Sequence, residues 1–112
     1  MSAFDDALAL YKAQVTELNL GISDELLTKV AKGLGPSIYN ADSSKVSASD
    51  AEELARVKNN FLIKKLGLAD DASLDAAIAS AVEAMGSSNR NKYRAVFYAF
   101  LVKKFGKEGV YA

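Results

Sequence analysis

The clearest pattern in the sequence is an unbroken apolar run near the C-terminus, residues 95–102. Gly86 and Gly106 bracket it, with no glycine or proline between them. Ser88 suits the N-cap of a helix, and Gly106 suits the left-handed residue that ends one. A helix that is apolar on nearly every side is buried. The pattern predicts a central helix starting at Ser88. A strand is the competing interpretation, because valine, phenylalanine and tyrosine favour sheets.

Narrower apolar stripes predict four more helices, at residues 3–19, 24–32, 50–66 and 72–85. Ser23 stands at the N-cap position of the second helix, and Ser49 with Glu52 forms the pattern of a capping box for the third. Residues 34–48 have no regular pattern and predict a long loop. The fourth helix should meet the central one through a very short turn at Gly86, as an antiparallel hairpin.

Composition agrees with helices throughout, since alanine, leucine and lysine are frequent and proline occurs once. A chain of 112 residues suits one domain. We therefore predict an all-α fold: a single domain, residues 1–112, in which about five helices form a compact bundle around the buried C-terminal helix, with Phe97 and Phe100 in the core. The apolar run is shorter than the roughly 20 residues of a membrane span. Together with the acidic N-terminus, this predicts a cytoplasmic protein without membrane contact.

The sequence contains neither cysteine nor histidine. It therefore excludes disulfides, thiol catalysis and thiolate metal sites, and it lacks the usual general base and the commonest metal ligand. We predict no catalytic residue, no metal ligand and no cofactor.

Charge is balanced overall but uneven along the chain. Residues 86–112 contain six lysines and arginines against Glu108 alone. Such asymmetry is typical of polyanion sites, but it also arises when a basic helix packs among acidic ones. The neutral net charge gives little long-range attraction for a polyanion, so we expect nucleic-acid binding to be weak or absent.

The most suggestive segment is 87–94, where hydroxyl and amide side chains precede three cations at a predicted helix start. Free backbone N–H groups, hydroxyls and cations together suit an anion such as phosphate. Cations in a first turn also oppose the helix dipole, which points to a functional reason for them. The alternative is that the cations pair with acidic side chains of other helices. The predicted ligand-binding residues are Ser87, Ser88, Asn89, Arg90, Lys92 and Arg94.

These features favour a small non-enzymatic binding module for a phosphate-bearing ligand or an acidic protein partner. The alternatives are an enzyme using lysine, tyrosine or carboxylate chemistry, with Tyr39 and Lys92 as candidates, or a weak binder of nucleic-acid backbones.

Three stretches, residues 32–40, 60–68 and 88–98, resemble a family of small, uncharacterised bacterial proteins, a domain of unknown function. The resemblance covers nearly the whole chain. It implies a compact, mainly helical bacterial domain. It implies no activity, substrate or site residue.

Overall fold

The chain folds as a helical bundle, described by the computed structural model for residues 3–40, 44–47, 49–86, 89 and 92–111. In chain order these residues form α1 (Ala3–Glu17), α2 (Asp24–Leu34), a 3₁₀ turn (Gly35–Tyr39), α3 (Ala51–Arg56), a π-helix (Val57–Lys65), α4 (Ala72–Met85), α5 (Arg94–Lys104) and a C-terminal 3₁₀ turn (Glu108–Tyr111). Within them there is no β-strand, only an isolated antiparallel bridge between Lys45 and Tyr93. The predicted all-α fold is confirmed.

The core is centred on α5, which packs against α1, α2 and α4. The α5 residues without exposed surface are Ala95, Val96, Phe97, Ala99, Leu101 and Val102. The predicted buried C-terminal helix is therefore confirmed. Phe100 packs against this core but is only partly buried, so its predicted place inside the core is wrong. Among the described helices, none has both the length and the apolar character needed to cross a membrane.

Side-chain caps begin three of the helices. The backbone N–H of Leu26 donates to Ser23 Oγ at 3.2 Å, which confirms the predicted cap of α2. Asp71 caps α4 by accepting from the backbone N–H of Ser73 at 2.8 Å. The predicted capping box of the third helix is wrong, because Asp50 is the N-cap of α3 and accepts from the backbone N–H of Glu52 at 3.0 Å.

The third predicted helix is α-helical only to Arg56 and continues as a π-helix. Its buried residues explain this change. Nine residues separate Val57 from Leu66, so an α-helix with 3.6 residues per turn would place them on opposite sides. A π-helix, with about 4.4 residues per turn, brings them to one face together with Phe61 and Leu62. All four side chains are buried.

The central helix begins at Arg94, and its N-cap position is Tyr93, which makes no side-chain cap bond, five residues after the predicted cap at Ser88. The residues before it pair with a segment of the long loop. Val46 N–H donates to the Lys92 carbonyl, and Arg94 N–H donates to the Ser44 carbonyl, each at 2.8 Å. These bonds replace the first bonds of the predicted helix. The predicted very short turn after α4 is therefore wrong.

Candidate functional site

The α4–α5 connection, defined as residues 86–93, carries most of the predicted site residues. Ser87, Ser88 and Arg90 lie outside the residues that the structure describes. Asn89 and Lys92 are described within the connection, and Arg94 is the first residue of α5. The anion-site hypothesis assumed that amides near Asn89 form the first turn of the central helix. That assumption is wrong, because the turn begins at Arg94.

Lys92 is a buried cation within the connection. Its side chain and backbone together are only 2% exposed, and the ammonium group donates to the backbone carbonyl of Asn89. Burial lowers the pKa of Lys92, because removal from water disfavours the charged form. The amide Nδ2 of Asn89 donates to the Met85 carbonyl at 3.0 Å. The connection is therefore tied to the end of α4 and holds a positive charge beneath its surface.

Arg94 is engaged by a carboxylate, as the ion-pair interpretation predicted. Its guanidinium pairs with Glu53, donates to the Tyr98 hydroxyl at 2.9 Å and reaches the Lys45 carbonyl at 3.3 Å. Glu53 also pairs with Arg56 at 2.8 Å. Burial alone would raise the pKa of Glu53, but hydrogen bonds from Arg56 and Arg94 hold it below its ordinary value. This network joins α3, α5 and the loop segment at Lys45.

A groove of about 350 Å³ lies between α1 and the α4–α5 connection, and we call it the α1 groove. Its lining residues are Leu10, Ala13, Gln14, Glu17, Leu18, Met85, Asn89 and Tyr93. Gln14 is 8% exposed, so a buried amide belongs to this wall. Leu10 is 55% exposed at the rim. Apolar walls with a few polar groups are typical of small-molecule sites, and the volume is near the lower end of their range.

Aromatic contacts hold the Tyr93 wall of the groove in place. The Tyr93 ring lies 5.2 Å from the ring of Tyr11, at an interplanar angle of 56°. Lys45 Nζ lies 5.8 Å from the centre of the Tyr93 ring on another side. Burial, with smaller contributions from Tyr93 and Tyr39, raises the pKa of the Tyr11 phenol, which therefore stays neutral at ordinary pH.

The sequence matches the family described as "Protein of unknown function (DUF2853)" over residues 10–109. The chain belongs to the DUF2853 family. This match confirms the resemblance to a domain of unknown function. No curated protein matches the chain.

In this DUF2853 protein, the predicted site residues and the lining of the α1 groove overlap at one residue. Asn89 was among the predicted residues, whereas Gln14 and Leu10 on α1 were not. A signal for Gln14 was present, because it lies three residues after Tyr11 and four before Leu18, on the apolar stripe of α1. A polar side chain on an apolar stripe is buried when the helix packs, and this costs free energy unless its amide is hydrogen-bonded.

The described residues of the DUF2853 protein form no group of three or more acidic, histidine or cysteine side chains that could hold a metal ion. The two residues considered for an enzyme differ in accessibility, since Tyr39 is 52% exposed and Lys92 is buried.

Proposed function

We propose that this DUF2853 protein is a non-enzymatic binding module that holds a small phosphate-bearing molecule in the α1 groove. The apolar part of the ligand would contact Leu10, Ala13 and Leu18. Its phosphate would lie at the opposite wall, against the α4–α5 connection.

The observation that carries this proposal is the buried ammonium of Lys92 in the chain segment that forms one wall of the groove. Asn89 and Tyr93, on either side of Lys92 in the chain, both line the groove. Charges buried away from water are screened less than exposed ones, so Lys92 in its protonated form contributes a positive potential to this wall. Arg90 and the serines at 87 and 88 belong to the same connection and add cationic and hydroxyl groups by sequence.

The polar groups of the groove support a defined orientation of the ligand. Glu17, on the α1 side, repels a phosphate and directs it toward the connection. The amides of Gln14 and Asn89 give the two walls of the groove a polar character beside their apolar residues. Arg94 is not part of this site, because its guanidinium is held by Glu53. The proposal therefore differs from the sequence hypothesis in using the connection and α1 rather than a helix N-terminus.

An NMR titration with phenyl phosphate tests the proposal. Inorganic phosphate and benzyl alcohol serve as probes of the anionic and apolar halves. We expect amide shifts at Ala13, Gln14, Asn89 and Tyr93, strongest with phenyl phosphate. Ala13→Trp should block the groove and abolish them, and Arg90→Ala should weaken them. Ala79→Trp, an exposed alanine-to-tryptophan change on α4, is the matched control and should leave them unchanged.

Absence of shifts at millimolar phenyl phosphate, or equal loss in both tryptophan variants, would refute the α1 groove as the site. Binding of an acidic peptide but not of phenyl phosphate would instead favour a protein partner. A nucleic-acid ligand would lose affinity steeply as salt rises, because several phosphate contacts release counterions. A single phosphate group should show a shallow dependence.

Cytoplasmic location and bacterial origin remain predictions from the sequence and from its family resemblance. The enzyme hypothesis has no described geometry in its favour.

A further inference from the structure

A second groove lies on the hairpin that α3 and the π-helix form with α4, and we call it the hairpin groove. It has a volume of about 460 Å³, and its lining residues are Ala51, Leu54, Ala55, Lys58, Asn59, Asp75, Ile78 and Ala79. The three alanines are exposed, whereas Ile78 is buried at the floor. The groove is therefore shallow, with small side chains where the two helices face solvent. A shallow wall of this kind leaves room for the backbone of another helix to approach.

The hairpin groove has an excess of negative charge at one end. Lys58 Nζ lies 3.2 Å from a carboxylate oxygen of Asp75 and 3.3 Å from one of Asp70. One ammonium group thus pairs with two carboxylates, which leaves one negative charge in excess. The Asp70 and Asp75 side chains are 67% and 65% exposed. The Lys58 side chain is only 22% exposed, but both carboxylates face solvent, so a cation of a partner can reach them from outside.

The π-helix supplies part of this surface, because Lys58 and Asn59 belong to its first turn. π-helices are rare, are mostly limited to a single turn and are frequent at functional sites. Here the π-helix runs for nine residues. Its wide turns bury Val57 and Phe61 against the core and at the same time place Lys58 and Asn59 toward α4.

We propose that the hairpin groove is a docking surface for an amphipathic helix of a partner protein, one that carries lysine or arginine beside small aliphatic residues. The aliphatic side chains would pack on Leu54 and Ile78 between the exposed alanines. A lysine or arginine of the partner would take the place of Lys58 at Asp75. Helix-in-groove recognition uses this combination of an apolar face and flanking charges. The site is separate from the α1 groove and does not depend on the function proposed there.

A synthetic helical peptide tests the proposal, with leucine and alanine at one-face spacing and lysines beside them. A matched peptide carries glutamate in place of each lysine. Titration followed by amide shifts should show saturable binding of the lysine peptide, with shifts at Ala55, Lys58 and Ala79. The glutamate peptide should not bind. Ala79→Trp should abolish binding, and Asp75→Asn should weaken it about fivefold, the weight of one exposed charge pair.

Two matched variants serve as controls. Ala13→Trp places the same side chain in the α1 groove, and Asp24→Asn removes an exposed carboxylate from the first turn of α2. Both should bind the lysine peptide like the unaltered protein. If Asp24→Asn and Asp75→Asn weakened binding of the lysine peptide equally, the binding would be a non-specific charge attraction, and the proposal would be overturned. Failure of both peptides to bind would overturn it too. So would self-association of the protein that Ala79→Trp abolishes, because the occupant would then be a second copy.

Discussion

At the residue scale, Glu53 connects three parts of the molecule. Its carboxylate accepts from Arg56 on the same helix and pairs with Arg94 at the start of α5. Arg94 in turn contacts the Tyr98 hydroxyl and the Lys45 carbonyl. The Glu53 and Arg94 side chains are only 10% and 14% exposed. A pair this protected is harder to break than a surface pair, because either partner left alone would be a poorly solvated charge.

Arg94→Met should therefore lower the free energy of unfolding by about 1.5–3 kcal/mol, the range for hydrogen bonds to charged groups, since Glu53 keeps its bond to Arg56. Urea unfolding followed by circular dichroism measures the change. Glu25→Gln breaks the exposed pair of Glu25 with Lys29 and is the control, which should leave stability nearly unchanged. A similar small effect of Arg94→Met would mean that solvent already screens the Glu53–Arg94 pair.

The same pair predicts a pH dependence. Hydrogen bonds from both arginines outweigh burial and hold the pKa of Glu53 below its ordinary value of 4.5. A lowered folded-state pKa stabilises the protein above pH 4.5, and this stabilisation is lost as pH falls through the folded-state pKa. Unfolding free energy measured from pH 7 to pH 3 should drop less steeply in Glu53→Gln than in the unaltered protein. Parallel curves would show that other carboxylates dominate the acid sensitivity.

At the element scale, the C-terminal 3₁₀ turn is held by one aromatic side chain. The Tyr111 ring lies so close to Gly33 of α2 that an added Cβ there would be 3.2 Å from it. Lys65 Nζ, at the end of the π-helix, lies 5.2 Å from the centre of the same ring. These contacts attach the end of the chain to two elements that are distant in sequence.

The pKa of Tyr111 predicts how the stability of the protein changes at alkaline pH. Burial, with a smaller contribution from Tyr98, raises the pKa of Tyr111 to about 12. A raised folded-state pKa means that the contribution of Tyr111 to stability is complete below its ordinary pKa of 10.0 and is lost as pH rises toward 12. Tyrosinate absorbance should show a late-titrating group that is missing in Tyr111→Phe. Unchanged titration in that variant would place the Tyr111 ring in solvent.

At the scale of the whole molecule, the fold depends on α5, against which α1, α2 and α4 all pack. Phe97 of α5 has no exposed surface, whereas Phe100, three residues later, is only partly buried. The two positions therefore make a matched pair for testing whether α5 is the centre of the core.

Phe97→Ala should lower the free energy of unfolding by about 3–5 kcal/mol, because it removes a large buried ring and leaves a cavity. Phe100→Ala should cost clearly less, since part of that ring already contacts water. Denaturant unfolding of both variants measures the difference. A loss below about 1 kcal/mol for Phe97→Ala would contradict the central position of α5.

The all-α class, the single core and the burial of residues 95–102 apart from Phe100 could be predicted from the sequence, because each depends on a local pattern. An apolar run leaves a helix no exposed side, and the Ser23 cap of α2 is a contact between residues only three apart in the chain. Ser23 and the apolar stripe of α1 are in the structure as their patterns predict. Of the eight residues that line the candidate site, the sequence pointed to Asn89 alone, because hydroxyl, amide and cationic side chains cluster around it in the chain.

Only the tertiary structure decided where the central helix starts, how the third helix winds and what the cations contact. Bonds to Ser44 and Val46, nearly fifty residues away in the chain, replace the first turn predicted at Ser88. The π-helix brings both Val57 and Leu66 into one core. Local helix propensity does not predict this, because it depends on what the two side chains pack against. From the sequence alone, Arg94 could bind either a ligand or a carboxylate. The packing of α3 near the start of α5 places Glu53 against it. The sequence by itself determined which segments are helical and which are buried, since these follow from neighbouring residues. The partners of each polar group depend on residues far apart in the chain, and only the packed structure brings them together.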